Sequence, residues 1–137
     1  MRYLGLDLGT KTLGVAVSDK LGIISSFVKT IEFKNEEYNT LIEPLKELIS
    51  EYKVEAIVLG LPKNMDNSLG FASKRSLEFK ELIETNIDIK VYLEDERLSS
   101  VEANNIMINE DLSRKKRKKK VDALAASIIL QRFLDRR

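Results

Sequence analysis

The chain has 137 residues, 43% of them hydrophobic and 33% charged, a length and balance that suit one domain with a buried core rather than a disordered tail. It contains no cysteine and no histidine, which excludes disulfide frameworks, thiolate or imidazole metal sites, and cysteine or histidine catalysis. The net charge of +1 is unevenly distributed: seven of the 23 basic residues form the run Arg114, Lys115, Lys116, Arg117, Lys118, Lys119 and Lys120, and the other 16 face 22 acidic residues, a net of −6. Such a run suits a polyanion partner, or else is a solvated loop. The first residues, MRYLGLDLGTKTLGV, are broken by Asp7 and three glycines, so they read neither as a signal peptide nor as a membrane span. A cytoplasmic protein with no membrane contact is the expectation.

Two short apolar runs, 3–8 and 13–17, flank Gly9-Thr10-Lys11-Thr12 and predict a hairpin. Residues 26–33 alternate well enough for a third strand. Leu41, Leu45, Leu48, Ile49 and Tyr52 share one helical face, with Pro44 in the first turn and Thr40 and Glu43 spaced as a capping box. The unbroken apolar run 55–61 (EAIVLGL), stopped by Pro62, predicts a strand buried on both faces. After the polar stretch PKNMDNSLG come a helix over 71–83 and a strand over 88–93. Ser99 and Glu102 are spaced to cap a short helix reaching about residue 108, and 121–134 is a strongly apolar final helix. The order βββαβαβαα describes one α/β domain over residues 1–137, its sheet antiparallel at first and parallel after the helical crossovers.

Three acidic positions stand out. Strand alternation puts Tyr3, Gly5 and Asp7 on one face and Leu4, Leu6 and Leu8 on the other, so Asp7 lies in the sheet between glycines and either needs a cation or donor cluster or caps the following turn. On the last helix, Asp122 shares the stripe of Ala125, Ala126, Ile129 and Phe133 and points inward, unless it only serves the helix's first turn. Glu94-Asp95-Glu96-Arg97 stands at the carboxyl end of a strand, where α/β sheets carry their sites, or forms a solvated turn. Carboxylates from three elements without cations suit a hard divalent ion, Mg²⁺ or Mn²⁺, used on a phosphate substrate.

The segments GLDLGTKTLGVAVSD, VLGLPKNMDNSLG, EDERLSS and KKVDALAASIILQRFL resemble, in order and spacing, the YqgF (RuvX) family of Holliday-junction-resolvase-like nucleases, and the likeness covers almost the whole chain. The resemblance implies an RNase H-like fold, a five-stranded mixed sheet whose first three strands are antiparallel, flanked by helices. It also implies a cytoplasmic nuclease acting in 5′-end processing of pre-16S ribosomal RNA, with Holliday junction resolution as the alternative. Carried over by position, Asp7, Glu96 and Asp122 become the catalytic, metal-binding set, and it is the resemblance that selects Glu96 from the EDER acids. Thr12, Asn67 and the serines after Leu98 depart from the family pattern without touching that set.

Lys11 and Arg97 stand beside two of these acids, as phosphate contacts or as surface ion-pair partners. Asn64 and Asp66 either support the site or make a turn. DLGT before a hairpin also resembles the first phosphate loop of actin-like and sugar-kinase ATPases, but those need a second such domain. A non-catalytic rival is an RNA-binding module of ribosomal precursor particles, in which the acids are structural. Against stacking-based recognition, the four tyrosines and five phenylalanines are assigned mostly to the core. Pre-rRNA and branched DNA present the same phosphodiester, and monomer and homodimer both remain open.

Overall fold

The computed structural model describes residues 1–35, 37–62, 70–95 and 114–137, with the backbone alone for 114–123. Five strands, β1 (Tyr3–Leu8), β2 (Thr12–Ser18), β3 (Ser25–Glu32), β4 (Ala56–Leu61) and β5 (Lys90–Asp95), form one sheet in the order β3-β2-β1-β4-β5. β1 pairs antiparallel with β2, and β2 with β3, whereas β1, β4 and β5 run parallel. This is the mixed sheet, antiparallel over its first three strands, that the sequence predicts. Its parallel half follows from the crossovers, α1 (Ile42–Tyr52) between β3 and β4 and α2 (Phe71–Asn86) between β4 and β5. Five of the six β4 residues are buried, as expected of a central strand covered on both faces.

The alternation along β1 divides the core. Leu4, Leu6 and Leu8 join Leu13, Val15, Leu45, Leu48, Phe79 and Ile83 beneath α1 and α2. Tyr3 joins Ala16, Ala56, Val58 and the last helix, α3 (Arg114–Arg136), through Ala126, Ile129, Leu130 and Leu134. Gly5 lies on this second face, where an added Cβ would stand 2.7 Å from the Cβ of Leu130 and 3.0 Å from the carbonyl of Ala126. The missing side chain is what lets α3 lie flush on the sheet. The rings of Tyr3 and Phe133 meet at 5.4 Å, so from Tyr3 to Gly5 the contacts step back from Phe133 to Leu130 and Ala126. α3 therefore runs antiparallel to β1.

Four expectations change, the first being the last strand, which runs Lys90–Asp95 rather than 88–93 and so takes in Glu94 and Asp95. α3 begins at Arg114 rather than at 121, because lysine and arginine are good helix formers whose charge hides them from an apolar-periodicity reading. The basic run is thus helical backbone, not a loop. The Thr40–Glu43 capping box does not form: a 3₁₀ turn (Tyr38–Leu41) leads directly into α1, Leu41 takes the cap position without a side-chain bond, and the Thr40 hydroxyl donates to the Glu37 carbonyl at 2.7 Å. α2 continues to Asn86, three residues past its predicted end, and closes with the Ile87 N–H on the Ile83 carbonyl. The short helix predicted over 99–108 lies outside the described residues.

Candidate active site

Asp7 is the penultimate residue of β1, just before the β1–β2 turn, in which the Gly9 N–H donates to the Thr12 carbonyl at 2.8 Å. Its backbone partner across the antiparallel pair is Gly14. On the parallel side Gly5 pairs with Val58, and two residues beyond Val58 stands Gly60, whose own partner is Glu94. Asp7 is half-buried on the α3 face, in a row of the sheet whose neighbours on both sides lack side chains. Space beside an acid at the carboxyl edge of parallel strands is where an α/β sheet receives a ligand.

Glu94 is only 8% exposed, yet it is neutralised: the Arg136 guanidinium, from the far end of α3, donates to both its oxygens, at 2.8 and 2.5 Å. The two are 42 residues apart, and no local signal in the sequence joins them. A carboxylate held at both oxygens by an arginine is a structural ion pair rather than an available ligand. This sets Glu94 aside from the EDER acids on physical grounds, while Asp95 closes β5.

Lys11 is exposed in the β1–β2 turn, and its carbonyl accepts the Phe33 N–H at 2.9 Å, which ties that turn to the end of β3. Asp122 lies in the helical backbone of α3, one turn before Ala126, and of the residues that share its predicted stripe Ala125, Ala126 and Ile129 are fully buried and Phe133 is half-buried. Arg114 to Lys120 form the opening turns of the same helix. Glu96, Arg97, Asn64 and Asp66 lie outside the described residues. Among the described residues no group of three or more acids gathers to hold a metal ion; of the three acids singled out, Asp7 alone has a described side chain. What is described suits a hard cation. The donor is a carboxylate oxygen, the adjacent sheet positions are glycines, and the nearby strand acid Glu94 already has its own counter-ion.

A family model described as "RuvX: Holliday junction resolvase" matches residues 1–136. The chain is 52% identical over 135 residues to a Clostridium acetobutylicum protein named "Putative pre-16S rRNA nuclease", with 98% of each chain covered. Relatives of the same name in Clostridium kluyveri and a Geobacillus species are 52% and 48% identical, covering 99% and 98% of this chain and 98% of their own. Among solved structures, T. thermophilus RuvC in complex with a Holliday junction substrate aligns with a TM-score of 0.58 at 17% identity, over 99% of this chain and 95% of that one. The fowlpox virus Holliday junction resolvase gives 0.57 at 17%, over the whole of both chains. At that identity the likeness is one of fold, and the fold is RNase H-like.

Proposed function

The chain belongs to the RuvX family, and from that premise we propose that it is a divalent-metal-dependent nuclease, hydrolysing phosphodiester bonds in 5′-end processing of pre-16S ribosomal RNA. Residues 1–137 act as its single nuclease domain, in the cytoplasm, on precursor RNA free or within ribosomal precursor particles. The relatives named for pre-16S rRNA, at about half identity over nearly the whole chain, support that substrate.

The observation that carries the reading is the antiparallel docking of α3 on β1. From Gly5 to Asp7 the strand advances about 6.6 Å, and from Ala126 back to Asp122 the helix advances about 6 Å in the same direction. Strand and helix keep pace from a shared contact at Gly5, which supports Asp7 and Asp122 meeting at one level. Glu96 follows directly on Asp95, the last residue of β5. Asp7, Glu96 and Asp122 would hold Mg²⁺ or Mn²⁺, which when bound supplies an activated water and neutralises charge on the phosphodiester. The protein's own part is to present Asp7 from a strand and Asp122 from a helix, and to orient the substrate. Lys11, Arg97 and the basic opening of α3 contact backbone phosphates, with Asn64 and Asp66 supporting the substrate-side loop.

The test is cleavage of a 5′-extended precursor 16S fragment beside a four-way DNA junction, with Mg²⁺, with Mn²⁺ and with chelator. Cutting of the RNA that requires metal is the expected result. Cutting of the junction alone would move the substrate to branched DNA, and RNA binding without any cleavage would favour a non-catalytic assembly module.

A further inference from the structure

On the opposite side of the sheet from α3, a cavity of about 370 Å³ is lined by Tyr38, Phe71, Lys74, Arg75 and Glu78, within the range of small-ligand sites, roughly 300–1,000 Å³. It stands at the same edge of the sheet as Asp7, because α2 begins where the chain returns from the carboxyl end of β4. The Ser73 hydroxyl donates to the Pro62 carbonyl and clamps the first turn of α2 to that strand end. A chain of contacts links the cavity to the β1–β2 turn. The Lys11 carbonyl accepts the Phe33 N–H, and the Phe33 ring packs on Tyr38 at 5.5 Å, which is itself in the cavity wall.

The wall has an unusual make-up. Phe71 is 89% exposed, although an aromatic ring in water forgoes a large burial gain. It is an exception to the sequence expectation that such rings are mostly spent on the core, which holds overall: six of the nine rings lie in the core or pack against it. Lys74 and Arg75 follow it at i+3 and i+4, on the same side of the helix, and the Arg75 Nε is buried with no hydrogen-bond partner among the described residues. A second cavity of about 270 Å³ continues past the shared Tyr38 and Glu78 to Asn39 and Leu82. An exposed ring with two cations one turn away matches the repeating unit of a nucleic-acid strand, a π-face and a phosphate.

We propose that this cavity holds one nucleotide of a single-stranded segment of the substrate, its base stacked on Phe71 and its phosphate on Lys74 and Arg75. The proposal rests on the nuclease reading and adds to it a contact on the far face of the sheet from α3. Glu78, one helical turn beyond Lys74 and Arg75, disfavours a second phosphate there, so sugar or base donors face the carboxylate. A duplex lacks an unstacked base to offer, so the cavity selects substrates with single-stranded character beside the cut.

The chain has no tryptophan, so Phe71→Trp makes a single reporter at an exposed position. Binding of a labelled single-stranded oligoribonucleotide is followed by anisotropy in chelator, where nothing is cut, with circular dichroism as the control for folding. Tryptophan emission should be quenched as RNA binds, and Phe71→Ala should raise Kd about tenfold. The pair Lys74→Gln and Arg75→Gln should lower the slope of log K against log salt by about 0.7 for each phosphate that the variant no longer neutralises. Unquenched emission, with Phe71→Ala binding as tightly as the unaltered protein, would overturn the nucleotide cavity and leave the nuclease reading standing. An unaltered protein that neither binds RNA in chelator nor cuts it in Mg²⁺ would overturn both.

Discussion

At Asp7 one carboxylate sits among glycine positions on the face that α3 covers. If its charge serves a metal, removing that charge should cost activity and not stability. Asp7→Asn is expected to reduce cleavage in Mg²⁺ by about 10³-fold, the scale of several kcal/mol of lost charge stabilisation. The midpoint of denaturant unfolding without metal should be unchanged or higher, because like-charge repulsion is relieved. A variant that cuts at the original rate would return Asp7 to a turn-capping role. Asp19 offers a residue-scale test of a different kind. Its Oδ1 accepts the N–H groups of Ile24 at 3.1 Å and Ile23 at 2.7 Å in the β2–β3 turn, and these bonds hold its pKa below the ordinary aspartate value. A depressed folded-state pKa contributes stability above the unfolded value that is lost as pH falls through the folded one. The stability gap between the protein and Asp19→Ala should therefore be full above the ordinary aspartate pKa and shrink as pH falls below it, as read by urea unfolding. Of these single residues, Asp7 was legible because strand alternation fixes its face. Glu94 was not, since its partner Arg136 is supplied by an element that only folding brings near.

Element by element, apolar periodicity found every described strand and α-helix, and failed where the signal is not apolar. The basic opening of α3 is the clearest case: its helix-forming residues carry no hydrophobic stripe. Being helical changes what the run can do, because seven consecutive residues wind through nearly two turns and one strand faces only about half of them. Replacing Lys115, Lys116, Arg117 and Lys118 by glutamine, which preserves helix propensity, should lower the salt slope of RNA binding by about 1.4 to 1.8, the value for two contacts rather than four. An unchanged slope would mean that nucleic acid binds elsewhere. The docking of α3 has its own test. In Gly5→Ala the new methyl meets Leu130 at 2.7 Å and the Ala126 backbone at 3.0 Å, neither of them the yielding end of a flexible chain. The variant should lose about 1–3 kcal/mol in denaturant unfolding. It should also lose cleavage activity while still folded, since the helix bearing Asp122 is lifted from the strand bearing Asp7.

For the whole molecule, the two faces of the sheet are packed with different materials. Beneath α1 and α2 lie leucines, isoleucine and a phenylalanine. Beneath α3 the small residues Gly5, Ala16, Ala56, Ala125 and Ala126 are interleaved with Tyr3, Val58, Ile129, Leu130 and Leu134, and Phe133 packs against them. Small residues permit close approach but release less apolar surface from water. Substrate cut on the α3 side and stacked on the α2 side would span both faces at one edge. The division of packing also sets an order of events in time. If α3, seated in part on small residues, opens as a unit of its own, amide hydrogens of residues 124–136 should exchange at a free energy below that of global unfolding, while those of β1 and β4 exchange only with the whole. Catalytic competence would then be lost on warming before the fold is. A cation bridging strand and helix should close that gap, slowing exchange in α3 alone, which hydrogen-exchange mass spectrometry with and without Mn²⁺ reads directly.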